Sequence, residues 1–190
     1  AEDLKAAINT LKAVDASDRQ YADFDLVYKG NMTKWVKYAN SLLLRIAIRM
    51  SDVDETNAKA YAQFAIANGV ITENADNAML ETQDNSVFKV AVSWNDSRAG
   101  ADIVAYMNTF SDPRREVYFT EVAGLPQKYI GLRSGAPAIT IDPTKFSAPK
   151  LTKESPMVWI TAAEVAFIKA EMALKGWGFV AVSYTHLTLP

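Results

Sequence analysis

The chain has 190 residues, 49% of them hydrophobic and 22% charged, with a formal net charge of −2. That composition gives an ordinary globular domain enough apolar side chain for a core, and it lacks the basic surplus that nucleic-acid phosphates require. There is no cysteine and one histidine, His186, which removes disulfides, thiolate or multi-histidine metal sites, cysteine nucleophiles and any Ser-His-Asp arrangement.

The opening Ala-Glu-Asp-Leu-Lys-Ala-Ala-Ile is charged and amphipathic, unlike the continuous apolar run of a signal peptide. Leu4, Ala7, Ile8, Leu11 and Val14 recur at helical spacing and predict a helix over 3–14. Asp15–Asp25 reads as a polar loop and Lys29-Gly30-Asn31 as a turn. Thr33 is the expected N-cap of a long helix running to Ser51. Trp35, Ala39, Leu42, Leu43, Ile46 and Met50 form its stripe, Val36, Leu44 and Ile48 widen it, and Asn40, Ser41 and Arg45 fall off it. Asp54 is expected to cap a second helix, Glu55–Asn68, with Ala58, Tyr61, Ala62, Ala65 and Ile66 inward and Gly69 as its stop. So short a link predicts an antiparallel helix pair of the kind that stacks into helical solenoids, although no strict 34-residue repeat is visible.

Val87–Trp94 alternates enough for a short strand or extended segment. Ala99–Phe110 predicts a third helix with Ile103, Val104, Tyr106, Met107 and Phe110 available for burial. Asp112-Pro113-Arg114 ends it and is expected to start a short helix at Pro113. Gly124–Lys153 carries prolines at 126, 137, 143 and 149 and should be largely irregular. Thr161–Lys175 is the last clear helix, stopped by Gly176. The fold class expected is therefore mainly α, with tetratricopeptide-like antiparallel helix pairs and long irregular loops. No run of 18 apolar residues is present to form a transmembrane helix.

The segment Lys34-Trp-Val-Lys-Tyr-Ala-Asn-Ser-Leu-Leu-Leu-Arg-Ile-Ala-Ile-Arg-Met-Ser51 resembles the signature helix of the SusD/RagB-like family. Further pieces follow in that family's order: Gly69-Val-Ile71 with Asn74–Ala78, Asp112-Pro-Arg114 with Tyr118-Phe119, Tyr129-Ile-Gly131 with Gly135, and Ser155-Pro156 through Trp159 to Glu171 and Gly176-Trp177. Each piece is weak alone; their order over 28–177 is specific. The resemblance implies a non-catalytic, surface-exposed outer-membrane lipoprotein of Bacteroidetes that captures glycans or other nutrients. It implies a SusC-like TonB-dependent transporter as partner, with the protein as its lid. Family members are longer and carry a lipid-bearing cysteine, so residues 1–178 are read as a partial SusD-like helical domain. Residues 179–190, ending Val182-Ser-Tyr-Thr-His-Leu-Thr-Leu-Pro190, resemble a translated sequencing-adapter artefact, the alternative being a native C-terminal strand.

Sugars are bound by flat aromatic faces beside amide, carboxylate and guanidinium groups. Trp94, Asn95 and Arg98 supply these within Trp94-Asn95-Asp96-Ser97-Arg98. The segment reads either as the edge of a ligand platform or as a capping stretch, with Asp96 or Ser97 as N-cap and Trp94 as a staple. Tyr129 and Arg133 form a second candidate patch, against the alternative of a packing loop. Trp35 and Trp159 begin helices on apolar faces and are read as core. Glu164 and Glu171 lie seven apart on one helix face, which keeps a glycoside hydrolase as an alternative alongside a purely structural helical adaptor. Asn74, Asp76 and Asn77 lack calcium-loop spacing and read as a turn. No metal or cofactor is expected.

Overall fold

The computed structural model describes residues 1–178 except Ala16, Gln20 and 138–140, so the tail read as non-native lies outside the described residues. The described chain is mainly helical: α1 (Glu2–Lys12), α2 (Met32–Met50), α3 (Glu55–Ala67), α4 (Ser86–Phe88), α5 (Ala101–Thr109), α6 (Arg115–Tyr118) and α7 (Ala162–Leu174), with β1 (Ala78–Leu80) and β2 (Met157–Ile160). It divides into two compact units, one built from Ala1–Leu80 with the chain from Met157 onward, the other from Glu81–Pro156.

In the first unit, α2 starts two residues earlier than its threonine suggests. Asn31 is the cap, its side chain accepting from Lys34 N at 3.1 Å. The reason lies upstream. The Asp25 carboxylate accepts from Val27 N, Tyr28 N and Gly30 N at 3.0, 3.1 and 2.8 Å. With Gly30 at φ 73°, this closes a turn that leaves Asn31 as the last extended residue.

The buried face of α2 is also rotated from the expected stripe. Ala39, Asn40, Leu43, Leu44, Ala47 and Ile48 are buried together with Ser41, while Ile46 lies at the exposed edge. Asn40 and Ser41 are tolerated inside because they serve the chain that follows α3. Ser41 Oγ accepts from Ile71 N at 2.9 Å and donates to Lys37 O at 2.8 Å, and Asn40 Nδ2 donates to Asn68 O at 3.2 Å.

Asp54 caps α3 as expected, accepting from Asn57 N at 3.1 Å. Ala58, Ala62 and Ala65 are fully buried, which lets α3 approach α2 closely. Gly69, at φ 88°, ends the pair. Thr161 caps α7 by accepting from Glu164 N at 3.2 Å, and α7 buries Val165, Ile168 and Met172. Leu43, Leu44, Ile71, Val165 and Met172 share one core, where each such side chain contributes about 1.5–3 kcal/mol. Antiparallel β1 and β2 pair Ala78 with Ile160 and Leu80 with Met157.

In the second unit, Val87–Trp94 is not a strand. Asn85 accepts from Val87 N and Phe88 N at 2.8 and 3.0 Å, its Nδ2 donating to Ser155 O at 2.6 Å. That fixed cap starts α4, which continues as a π-helical turn over Lys89–Ser93. α5 begins after Gly100, so neither Asp96 nor Ser97 is its N-cap. It buries Val104 and Met107 but leaves Ile103, Tyr106 and Phe110 at least half exposed, against expectation. The short helix starts at Arg115 rather than Pro113, because the Asp112 carboxylate engages Arg114 N (2.9 Å) and its guanidinium (2.5 Å) as a turn.

The Gly124–Lys153 stretch is largely irregular, with a single 3₁₀ turn at Pro143–Lys145 among its described residues. Buried Ser147 organises it. Its N–H donates to Ile130 O, its carbonyl accepts from Ala99 N, both at 2.8 Å, and its hydroxyl accepts from Ile130 N at 3.2 Å.

Candidate ligand-binding site

The segment 94–98 follows the π turn, and that turn fixes its shape. Trp94 N donates to Lys89 O at 2.9 Å, and Asn95 sits at φ 62°, a conformation asparagine accepts more readily than most residues. Arg98 holds the segment down. Its Nε donates to Pro143 O at 2.7 Å, its Nη1 to Ser97 O at 2.6 Å and Ala91 O at 3.3 Å, and its Nη2 to the Asn95 amide oxygen. Trp94 is not a staple: it is 59% exposed. Lys89 Nζ stands 5.7 Å from its ring centroid. The result is an indole held on a rigid turn, with the Asn95 amide beside it.

Tyr129 and Arg133 come to this place by a different route. Gly100 and Leu132 form a parallel bridge, with Leu132 N donating to Ala99 O at 2.7 Å and Ala101 N to Leu132 O at 2.9 Å. Arg98 lies two residues and Arg133 one residue from that pairing, so the two segments separated in sequence are joined. Arg133 is exposed. Tyr129 is only 5% exposed, and Arg115 covers its ring at 5.4 Å, so it forms the floor of the loop rather than an open stacking face. Burial pushes its phenol pKa up, and nearby Glu121, 3.3 Å from the hydroxyl, adds to this. Glu121 itself is held below the usual carboxylate range by its bond to Lys128.

Sequence reasoning missed a cleft in the first unit. Tyr21, Phe24, Leu26, Trp35 and Trp159 line about 440 Å³ of it. Trp35 and Trp159, read as helix-starting core residues, are not core: Trp35 is half-buried, Trp159 lies in β2 and is exposed, and their ring centroids are 6.5 Å apart. Trp35 Nε1 donates to Asp25 Oδ2 at 2.7 Å. That carboxylate is fully occupied by hydrogen bonds, so the cleft is chiefly apolar. The signal available was the pair Tyr21 and Phe24 inside an otherwise polar loop.

Of the acidic residues weighed for catalysis or metal, Glu164 and Asp76 are otherwise engaged, and Glu171 is exposed. Arg45 grips both oxygens of Glu164, and Asp76 pairs with Lys37 at 2.5 Å and Lys34 at 3.4 Å. Among the described residues no group of three or more His, Cys, Asp and Glu is placed to hold a metal.

A family model described as "Susd and RagB outer membrane lipoprotein" matches residues 1–185. The chain belongs to this SusD-like family. Solved SusD homologues agree in fold. One from Bacteroides thetaiotaomicron is 35% identical, with 95% of this chain and 40% of that one covered and a TM-score of 0.87. One from Bacteroides uniformis is 38% identical over 95% and 39%, with a TM-score of 0.84. A chitin-binding homologue from Flavobacterium johnsoniae is 32% identical over 95% and 40%, with a TM-score of 0.82. The SusD-like chain thus spans about 40% of the length of these structures. No curated protein matches it. Its mainly helical fold is that of its relatives, and its family is one of outer-membrane lipoproteins.

Proposed function

We propose that this protein binds glycan or oligosaccharide nutrients at the outer-membrane surface, without cleaving them, and delivers them to a SusC-like TonB-dependent transporter. The observation that carries the reading is the exposed Trp94 indole on its Arg98-braced turn, with Asn95 beside it and the Arg133 segment bridged to its flank. An aromatic face with neighbouring amide and guanidinium donors is the chemistry a pyranose ring requires. Family membership and the chitin-binding homologue support a saccharide over other small ligands. The glycoside hydrolase alternative loses support because Glu164 is tied into an ion pair with Arg45.

The test is retention of the full chain in native gels cast with a panel of polysaccharides, with reducing ends assayed in parallel. Retention by at least one glycan with no new reducing ends is expected. New reducing ends would establish a hydrolase, and no retention by any glycan would leave the helical adaptor as the better reading. Co-purification of the protein with a TonB-dependent transporter from its native membrane would test the partner.

A further inference from the structure

Arg115 differs from the other part-buried arginines whose partners are visible. Arg45 has a carboxylate, Arg114 has Asp112, and Arg98 has three backbone carbonyls and an amide. Arg115 donates once, at a long 3.3 Å, to the neutral amide oxygen of Asn108, and its Nε is sealed from solvent with no hydrogen-bond partner among the described residues. Asp112, the carboxylate that feels its charge, is already forked by Arg114, and a sealed guanidinium N–H left without an acceptor is unfavourable. Something fixes it there all the same: it lies over the buried Tyr129 ring, and Asn108 is itself held by donating Nδ2 to Tyr129 O at 2.9 Å.

These side chains surround a pocket of about 300 Å³ that Pro126, Gln127 and Lys128 complete. Its lining residues carry a guanidinium, an ammonium, two amides, a phenol and the apolar Pro126 ring. Lys128 is balanced by Glu121 at 3.1 Å, which leaves Arg115 as the cation without an acidic partner in the pocket wall. A planar fork of donors over an aromatic ring suits a carboxylate, and the surrounding amides suit hydroxyl groups.

We infer that the Arg115 pocket holds the carboxylate of an acidic saccharide, such as a uronic acid residue. The inference rests on the glycan-binding reading and narrows it to a ligand class. Arg115 contacts the carboxylate, Asn108 sets the guanidinium plane, and Lys128 and Gln127 pair the ring hydroxyls at the rim.

The test uses the full chain and titration calorimetry with acidic oligosaccharides (from polygalacturonate, alginate and hyaluronan) and their methyl esters. The ester keeps the ring and removes the charge. At least one free acid is expected to bind about tenfold or more tightly than its ester. Arg115→Gln should bring acid and ester to equal affinity, and Arg115→Lys should restore part of the difference. Should Arg115→Gln fail to fold, Lys128→Gln, at an exposed position, replaces it and should weaken both, the acid more than the ester because Glu121 loses its cation. Equal binding of acid and ester by the native chain overturns the inference while leaving glycan binding intact. Binding of carboxylate-ended peptides with no saccharide bound overturns both.

Discussion

Arg45 and Glu164, 119 residues apart, meet in a two-pronged ion pair, Nε to Oε1 at 2.6 Å and Nη2 to Oε2 at 2.7 Å. Arg45 Nη2 also donates to Trp159 O at 2.7 Å, so one guanidinium ties α2 to the end of β2 and the first turn of α7. Each partner is about a third exposed, and water screens the pair. A double-mutant cycle with Arg45→Met and Glu164→Gln, read by urea unfolding, should give a coupling of about 1 kcal/mol. A coupling of zero would show that burial alone sets how α7 packs.

The capping assignment separates two neighbouring residues. Asn31→Ala removes the acceptor for Lys34 N and should cost about 1 kcal/mol, lowering the thermal midpoint by several degrees. Thr33→Ala, exposed within the first turn of α2, should stay within about 0.5 kcal/mol. Equal losses would restore Thr33 as a cap.

That contrast shows where the fold was legible. The helix bodies were readable because apolar side chains recur every three or four residues, and Asp54 was readable as a cap because it directly precedes the apolar periodicity of α3. Asn31 was not, because the Asp25 turn that exposes it depends on bonds to Val27, Tyr28 and Gly30. Asn40 and Ser41 look polar in sequence, and only the path of Gly69–Ile71 gives them partners inside. Of the candidate site, Trp94, Asn95 and Arg98 fall within five consecutive residues and were visible as a group. Arg115 was not, because what marks it is a missing partner, and a sequence does not show who faces whom.

Acid should loosen the first unit. For both Asp25 and Asp76, burial alone would raise the carboxyl pKa. The hydrogen bonds from Trp35 and the turn backbone to Asp25, and Lys37 and Lys34 beside Asp76, outweigh it and bring each below its ordinary value. A carboxyl depressed on folding stabilises above its unfolded pKa of about 3.9, and that stability is lost as pH falls through the lower folded value. Unfolding free energy should therefore be flat above about pH 5 and fall below about pH 4. Asp76→Asn should flatten that acid limb and cost about 2 kcal/mol at neutral pH. An unchanged acid limb in the variant would remove Asp76 as its source.

Trp94→Ala tests the platform with little risk to the fold, since the side chain is mostly outside the core and the turn is held by Arg98. Its urea midpoint should move by less than about 0.5 kcal/mol. Retention in a gel of the best-bound polysaccharide should drop by about tenfold, the loss of one aromatic contact of about 1.5 kcal/mol. Unchanged retention would move the site elsewhere, and the Tyr21–Phe24–Trp159 cleft is the next place to mutate.

Gly131 decides whether the two candidate segments act together. A Cβ there would lie 2.5 Å from Ala101 Cα, 2.6 Å from Gly100 O and 2.8 Å from Ala101 N, all backbone atoms that cannot rotate away. Gly131→Ala must therefore push the 129–133 strand of loop off the start of α5. It breaks the Leu132–Ala99 and Ala101–Leu132 bonds and costs about 1–3 kcal/mol. Gly100→Ala makes the control, because a Cβ at Gly100 meets nothing within 4 Å and its φ of −66° suits any residue. If Arg133 and the Trp94 turn bind one ligand, Gly131→Ala should lose glycan retention at temperatures where the chain is still folded, and Gly100→Ala should keep it. Retention surviving in a folded Gly131→Ala would mean that the Trp94 turn binds without the Arg133 segment.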